Sequence, residues 1–294
     1  MRGGLNTLFS RAPKKRLKKD KFAVTPAIST IIMTAALIVL VIVAAGFANN
    51  ELTLQMAEGE FSSSKDFMQS TGTQIDNVAW TIGRTETVDY TAKYGQVAFA
   101  PNVLNYTFEI SYNNGVSWNT VYTCKTGMIL YNMPASTYSV GNNYFSRIIP
   151  TDSSSFLQSG VSSPVYQEFV VENVRAYGSY ARIVTVPSVR YLTSTIGGEN
   201  YYEFYLPSLV SGSSPYLSQS LTLTGNGLNT ATPSGAITQV QITVAAIQSP
   251  IPLGFNSFST SFFNFSSTTA TVNINSGSLV EIYNGQVTVS IGLT

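Results

Sequence analysis

The chain has 294 residues, a formal net charge of +1 and only 11% charged residues, and its length suits two average domains or one large β domain. It contains no histidine and a single cysteine, Cys124. These absences exclude an intrachain disulfide, Cys–His and Ser–His–Asp catalysis, and the common zinc sites. We therefore expect no cofactor, no bound metal and no enzymatic activity.

The small net charge hides a strong asymmetry along the chain. Residues 1–22 hold eight basic residues and one acid, whereas the remainder holds eight basic and fourteen acidic residues. Such a basic run could bind nucleic acid or anionic lipid, but this one directly precedes an apolar segment, where Lys and Arg tend to stay cytoplasmic. We expect no nucleic-acid partner, a cytoplasmic N-terminus and an exported region after residue 50.

Residues 22–50 form a charge-free apolar segment. From Ile31 to Ala48 it is an 18-residue apolar run broken only by Thr34, which is long enough for a single helix to span a membrane to about residue 48. Three fates are open for this segment. It could be a cleaved secretory signal, a permanent anchor, or a class III (prepilin-type) signal that is cut before the apolar stretch.

The run Lys21-Phe22-Ala23-Val24-Thr25-Pro26-Ala27-Ile28 resembles the start of archaeal type IV pilins, over about residues 14–50 only. The resemblance implies a leader peptide, 1–23, that a prepilin peptidase removes after Ala23, so that Val24 starts the mature chain and Pro26 is its third residue. Proline suits the first helical turn, which does not need that N–H group. The chain departs from the family at Phe22, where a Lys or Arg is usual.

The same resemblance implies a function. The chain would be a subunit of an archaeal pilus-like surface filament, held first in membrane lipid and then against copies of itself or other pilins through the N-terminal helix. The exported domain would meet the surroundings in adhesion or surface contact. The alternative is a single-span anchored surface protein that does not polymerise and whose β domain binds a ligand or an envelope component.

A seven-residue apolar repeat continues the helix beyond the apolar segment. Its positions, which we call the seam, are Phe47, Leu54, Phe61, Met68 and Ile75. A repeat of this period marks one face of a helix that meets a partner. The partner could be the protein's own β domain or neighbouring subunits. We expect the helix to cover 24–72 and to end at Gly72, because glycine suits a helix C-cap.

The region 73–294 shows short alternating runs separated by Gly, Asn, Pro and Ser, as in an antiparallel β-sandwich. Two tight hairpin turns are predicted, at Asn114-Gly115 and at Asn284-Gly285. Together with the helix, this gives an α+β fold with about a dozen strands. A Ser-rich stretch at 151–164 could divide the β region into two parts, although one continuous domain is the preferred interpretation. The remaining predicted strands are 85–90, 95–99, 127–131, 166–172, 181–186, 201–206, 219–224, 237–246 and 268–274.

Few side chains suggest chemistry. Glu199 and Glu203 lie four residues apart and could in principle act as a glycosidase pair, but such pairs are common by chance. Cys124 is interpreted as a buried small residue. Asn105-Tyr106-Thr107 and Asn264-Phe265-Ser266 match the N-glycosylation sequon, so Asn105 and Asn264 are candidate glycan sites in an exported chain.

Overall fold

A computed structural model describes residues 21–172, 179–212, 219–247 and 260–292, with residues 21–27 and 260 described by their backbone only. The chain divides into two compact units, Met1–Leu52 and Thr53–Thr294. The elements in order are α1 (Lys21–Ala79), β1 (Thr85–Asp89), β2 (Gln96–Ser111), β3 (Asn119–Pro134), β4 (Tyr144–Ile149), β5 (Leu157–Ser159), β6 (Tyr166–Glu172), β7 (Tyr180–Pro187), β8 (Val189–Ile196), β9 (Glu199–Ser211), β10 (Ser220–Ala231), β11 (Gln239–Ala246), α2 (Thr260–Phe263), β12 (Thr269–Asn273) and β13 (Leu279–Ile291).

The strands form two sheets, which confirms the predicted α+β class. Sheet 1 has the order β1-β10-β13-β9-β8-β5 and sheet 2 has the order β12-β11-β2-β3-β7-β6-β4. Sheet 2 is antiparallel, but sheet 1 is mixed, because β13 pairs with β9 and β5 pairs with β8 in parallel. The prediction of purely antiparallel sheets was therefore wrong for sheet 1. Buried residues of both sheets share a core, among them Phe108, Ile242, Phe204 and Ile282.

A second core surrounds the C-terminal part of α1. Along β3, Met128 and Leu130 belong to the core shared by the sheets, whereas Ile129 and Tyr131 pack with the helix. Because neighbouring residues of a strand point to opposite faces, the two cores lie on opposite faces of sheet 2. The part of α1 that follows Leu52 is thus an integral layer of the unit Thr53–Thr294.

The helix continues past the predicted end at Gly72 to Ala79. Gly72 has a packing role instead, since a Cβ atom there would lie 2.1 Å from the ring of Tyr166. The missing side chain lets α1 approach β6 closely. A glycine that serves close packing cannot be told from a capping glycine by its sequence alone.

The predicted hairpin turn at Asn284-Gly285 was wrong, because β13 runs straight through both residues. The Asn284 side chain is buried and donates to the Leu206 carbonyl oxygen at 2.9 Å. A residue larger than glycine would not fit at position 285, because its Cβ would lie 2.2 Å from the carbonyl oxygen of Ala79, at the end of α1. Asparagine followed by glycine usually suggests a turn. Here the asparagine forms a buried hydrogen bond, and the glycine lets the end of α1 lie close to β13.

The other Asn–Gly pair does lie in the connection between β2 and β3. Asn114 and Gly115 have φ values of 54° and 84°, as left-handed turn positions require. The connection is longer than a two-residue turn, since β2 ends at Ser111 and β3 begins at Asn119. The Ser111 hydroxyl accepts from the Gly115 N–H at 2.8 Å and helps to close this loop.

Residues 53–294 form one compact unit, whereas a division near 151–164 was only the alternative to the preferred continuous domain. The stretch instead contains β5, which was not predicted, and neither were β4 and β8. Several predicted strands, such as 95–99 and 127–131, are parts of longer ones. The sequence also predicts a loop at 248–261, most of which lies outside the described residues.

Candidate functional site

The first candidate site is the apolar N-terminal part of α1. Every side chain described between Ile28 and Asn50 is exposed, and Ile31 and Phe47 expose 67% and 74% of their surface. The most apolar 18-residue window has a mean hydropathy of 2.8 and no buried residue. Within the described chain, this helix alone is long and apolar enough to cross a membrane.

Thr34, the one polar residue within the apolar run, forms its hydrogen bonds within the helix itself. The Thr34 hydroxyl donates to the Thr30 carbonyl oxygen at 2.5 Å and lies 3.1 Å from that of Ile31. Its hydrogen-bonding group therefore needs no outside partner, which lowers the cost of placing it in an apolar surrounding.

The residues of the expected cleavage site lie at the start of α1. The backbone of Ala23, Val24 and Pro26 is helical, and their side chains are not described. The basic leader up to residue 20 lies outside the described residues, so the expected cut after Ala23 stays a prediction.

The seam divides between exposed and buried positions. Phe47 and Leu54 are exposed, with 74% and 42% of their surface accessible, whereas Phe61, Met68 and Ile75 are at most 1% exposed. The three buried residues belong to the core that α1 forms with the two sheets. Packing of the seam on the protein's own β domain is thus seen for Phe61, Met68 and Ile75. Packing of Phe47 and Leu54 on neighbouring subunits stays a prediction.

Glu60 fastens α1 to the start of β2. Its carboxylate accepts from the backbone N–H groups of Lys93, Tyr94 and Gly95 at 2.8–3.1 Å and from Tyr131 Oη at 2.7 Å. Burial by itself would raise the pKa of Glu60, but these hydrogen bonds outweigh it and lower the pKa below its usual value. The carboxylate therefore stays ionised and acts as a structural clamp.

A second polar contact fixes the C-terminal end of α1. Asp76 pairs with Arg190 of β8 at 2.9 Å and accepts from Trp80 Nε1 at 2.7 Å. Trp80 also packs edge-on against Tyr205, with ring centroids 5.2 Å apart. Trp80 therefore joins the helix end to sheet 1.

Glu168 on β6 is the most unusual acid in the described chain. It is fully buried, and neither carboxylate oxygen has a hydrogen-bond partner. Burial raises the pKa of Glu168 to about 8, with the negative charge of Asp66 adding to the rise and Lys65 opposing it. Sequence reasoning missed Glu168 because a glutamate inside a predicted strand gives no signal of its burial.

The acidic pair considered for catalysis does not form. Glu203 lies on β9 directly opposite Glu281 of β13, while Glu199 is exposed at the end of β9. Tyr283, beside this pair, donates a hydrogen bond to Glu281. Within the described ranges, no group of three or more His, Cys, Asp or Glu residues is arranged to hold a metal ion.

Cys124 is buried, as the sequence suggested. Burial raises the pKa of its thiol to about 11, and Asn284 Nδ2 donates to its sulfur at 3.3 Å. A thiol kept protonated in this way is a poor nucleophile.

The two glycosylation sequons differ sharply in accessibility. Asn105 lies on β2 between β3 and β11, and its amide oxygen is buried without a partner. Asn264 is exposed and has a φ of 48°, in the turn that follows α2. Asn264 is thus the more accessible of the two, since Asn105 is only half-exposed.

Comparison of the chain with family models, with curated proteins and with solved structures gave no match.

Proposed function

We propose that the protein is a structural subunit of an archaeal type IV pilus-like surface filament, inserted in the cell membrane before assembly. The observation that carries this proposal is the fully exposed apolar surface of residues 28–50 on a helix whose continuation is built into a folded β unit. Burying one large aliphatic side chain contributes about 1.5–3 kcal/mol. A surface of this kind needs lipid or other helices around it.

The two surroundings are interchangeable in energetic terms. When a helix leaves lipid for a bundle of like helices, its apolar side chains stay out of water, so the transfer cost largely cancels. Gly46 and the alanines of the segment would let neighbouring helices approach closely. The same segment can therefore serve first as an anchor and then as filament core.

Processing and orientation complete the proposal. The basic residues before the segment favour an N-terminus in the cytoplasm and a β unit outside the cell. A prepilin peptidase would cut after Ala23 and leave the apolar helix on the mature chain. The role that we propose is structural, and the contacts of Glu60 and Asp76, which fasten α1 to the rest of the β unit, are compatible with it.

N-terminal sequencing of the mature protein, together with electron microscopy of surface filaments, tests the proposal. We expect a start at Val24, and we expect Ala23→Leu to leave the leader in place and to abolish filaments. Ala27→Leu is the matched control and should be cut normally. A start at Asn49, or undiminished filaments from the Ala23→Leu variant, would contradict the proposal.

The second candidate is a single-span surface protein that does not polymerise. It is favoured by the burial of Phe61, Met68 and Ile75 in the protein's own core, which leaves only Phe47 and Leu54 of the seam for neighbours. An intact leader on the mature protein, with no filaments, would support this candidate.

A further inference from the structure

A polar groove opens between the two sheets where both have an edge strand. On one side lie β5 and β8 of sheet 1, and on the other lies β12 of sheet 2. The groove encloses about 500 Å³, and a second hollow of about 260 Å³ shares Thr193 and Tyr202 with it. Together they are large enough for a small ligand.

The pairing of β8 with β9 sets one wall of the groove. Tyr191 is opposite Phe204, and Thr193 is opposite Tyr202, so their side chains share one face of sheet 1. The Tyr191 ring stacks on buried Phe204, with centroids 5.9 Å apart and planes 26° apart. The sheet core thus holds an aromatic ring in place at the groove.

Apart from Leu157 and Val272, the remaining lining is polar and uncharged. Ser159, Thr193 and Thr271 supply hydroxyl groups, and Asn273 supplies an amide. The second hollow adds Ser194, whose hydroxyl oxygen is buried without a partner. Among the residues that the structure describes, no Lys, Arg, Asp or Glu lines either hollow.

We propose that this groove is a binding site for a neutral oligosaccharide. A charged ligand would find no counter-charge among the described lining residues, and a fully apolar ligand would leave the hydroxyl and amide groups without partners. A sugar offers hydroxyl groups that both donate and accept, as Ser, Thr and Asn require, and apolar C–H faces that can cover an aromatic ring. The inference goes beyond filament formation and does not require it.

Binding can be measured by calorimetry on the full chain in a detergent without a sugar headgroup. The probes are maltohexaose, cellohexaose and mannohexaose, with hexagalacturonate as the charged comparison. We expect at least one neutral probe to bind about tenfold or more tightly than hexagalacturonate. Binding of none of the three, or equal binding of hexagalacturonate, would overturn the proposal.

Variants locate the site. Thr193→Glu places a charge on an exposed position of the groove and should weaken binding at least about tenfold, and Tyr191→Ala should do the same. Tyr144→Ala is the control, since Tyr144 is an exposed tyrosine on β4 outside both hollows. Equal loss in the control, or preferential binding of an extended peptide such as hexathreonine along β12, would contradict a sugar site. Filaments are scored separately, so failure of this proposal and failure of assembly are distinct outcomes.

Discussion

Glu168 and Thr185 face each other directly across β6 and β7, both are fully buried, and neither side chain has a hydrogen-bond partner for its oxygen atoms. Groups this close on one sheet face share the same surroundings. The charged groups that act on this position are Asp66 and Lys65 of α1. A carboxylate here would be buried without compensation, so the folded state requires the protonated acid.

Stability should therefore fall as the pH rises. The pKa of Glu168 is about 8 in the folded protein against 4.5 for the ordinary group, so the folded state binds more protons between these values. The contribution of Glu168 to the free energy of unfolding is complete below about pH 4.5, declines up to about pH 8 and then levels off. The total change is on the order of 5 kcal/mol. Glu168→Gln should remove this slope in denaturant unfolding followed by tryptophan fluorescence. Glu199→Gln, at an exposed position, should leave the slope in place, and a slope that persists in Glu168→Gln would refute the assignment.

The Glu60 clamp predicts the opposite pH dependence. Its pKa is lowered in the folded state, so its contribution is present at neutral pH and is lost as the pH falls through the folded pKa. Glu60→Gln should lower the free energy of unfolding at pH 7 by about 1–3 kcal/mol, because backbone N–H groups lose a charged acceptor. Glu58→Gln, two residues away and exposed, should change it little. Equal losses in the two variants would show that the clamp does not stabilise the fold.

Gly285→Ala tests the contact between α1 and sheet 1. A Cβ atom at position 285 would lie 2.2 Å from the Ala79 carbonyl oxygen, which is backbone and must move with the helix end. We expect a loss of about 1–3 kcal/mol in the free energy of unfolding. Gly227→Ala, on the neighbouring strand β10, meets nothing closer than 4.0 Å and should be far milder. Comparable losses of stability in the two variants would mean that the loss reflects strand propensity and not the close approach of Ala79 to Gly285.

Phe47 and Phe61 should separate assembly from folding. Phe61→Ala removes a buried ring and should cost about 3–5 kcal/mol of stability. Phe47→Ala should leave unfolding of the β unit unchanged and reduce filament formation, measured by electron microscopy. Normal filaments from Phe47→Ala would argue for the anchored, non-polymerising alternative.

Glycan occupancy should follow exposure. If the native cell modifies the sequons, Asn264→Gln should remove the added mass from the purified protein, whereas Asn105→Gln should not. Intact-mass spectrometry of the two variants measures this directly. A glycan on Asn105 would require β2 to be modified before it joins the sheet.

The sequence predicted what depends on local pattern. The apolar helix and strands such as 237–246 carry their periodicity in consecutive residues, and the fold class follows from them. Asn114-Gly115 and Asn284-Gly285 are the same dipeptide, yet only the first lies in a turn. What distinguishes them is distant in the chain. The end of α1 requires a glycine at position 285, and the hydrogen bonds of Asn284 are made with residues far away in the sequence.

The candidate site was predictable only in its N-terminal part. The seam was visible as a repeat, but its division between Leu54 and Phe61 depends on where the sheets lie. The groove could not be predicted, because β5 and β8 have no clear alternation and the opposing edge comes from β12. Glu168 was likewise invisible, since burial of a polar residue in a strand is a property of the layers around it.

The position of β13 has a consequence for biogenesis. It lies between β10 and β9 in sheet 1, so this sheet stays in two pieces until β13 is in place. In a chain delivered gradually from its N-terminus, β9 and β10 would keep unpaired edges until then, and such edges invite wrong pairing between molecules. Completion of the sheet is thus coupled to delivery of β13, and a chain halted before that strand would be a ready substrate for quality-control proteases.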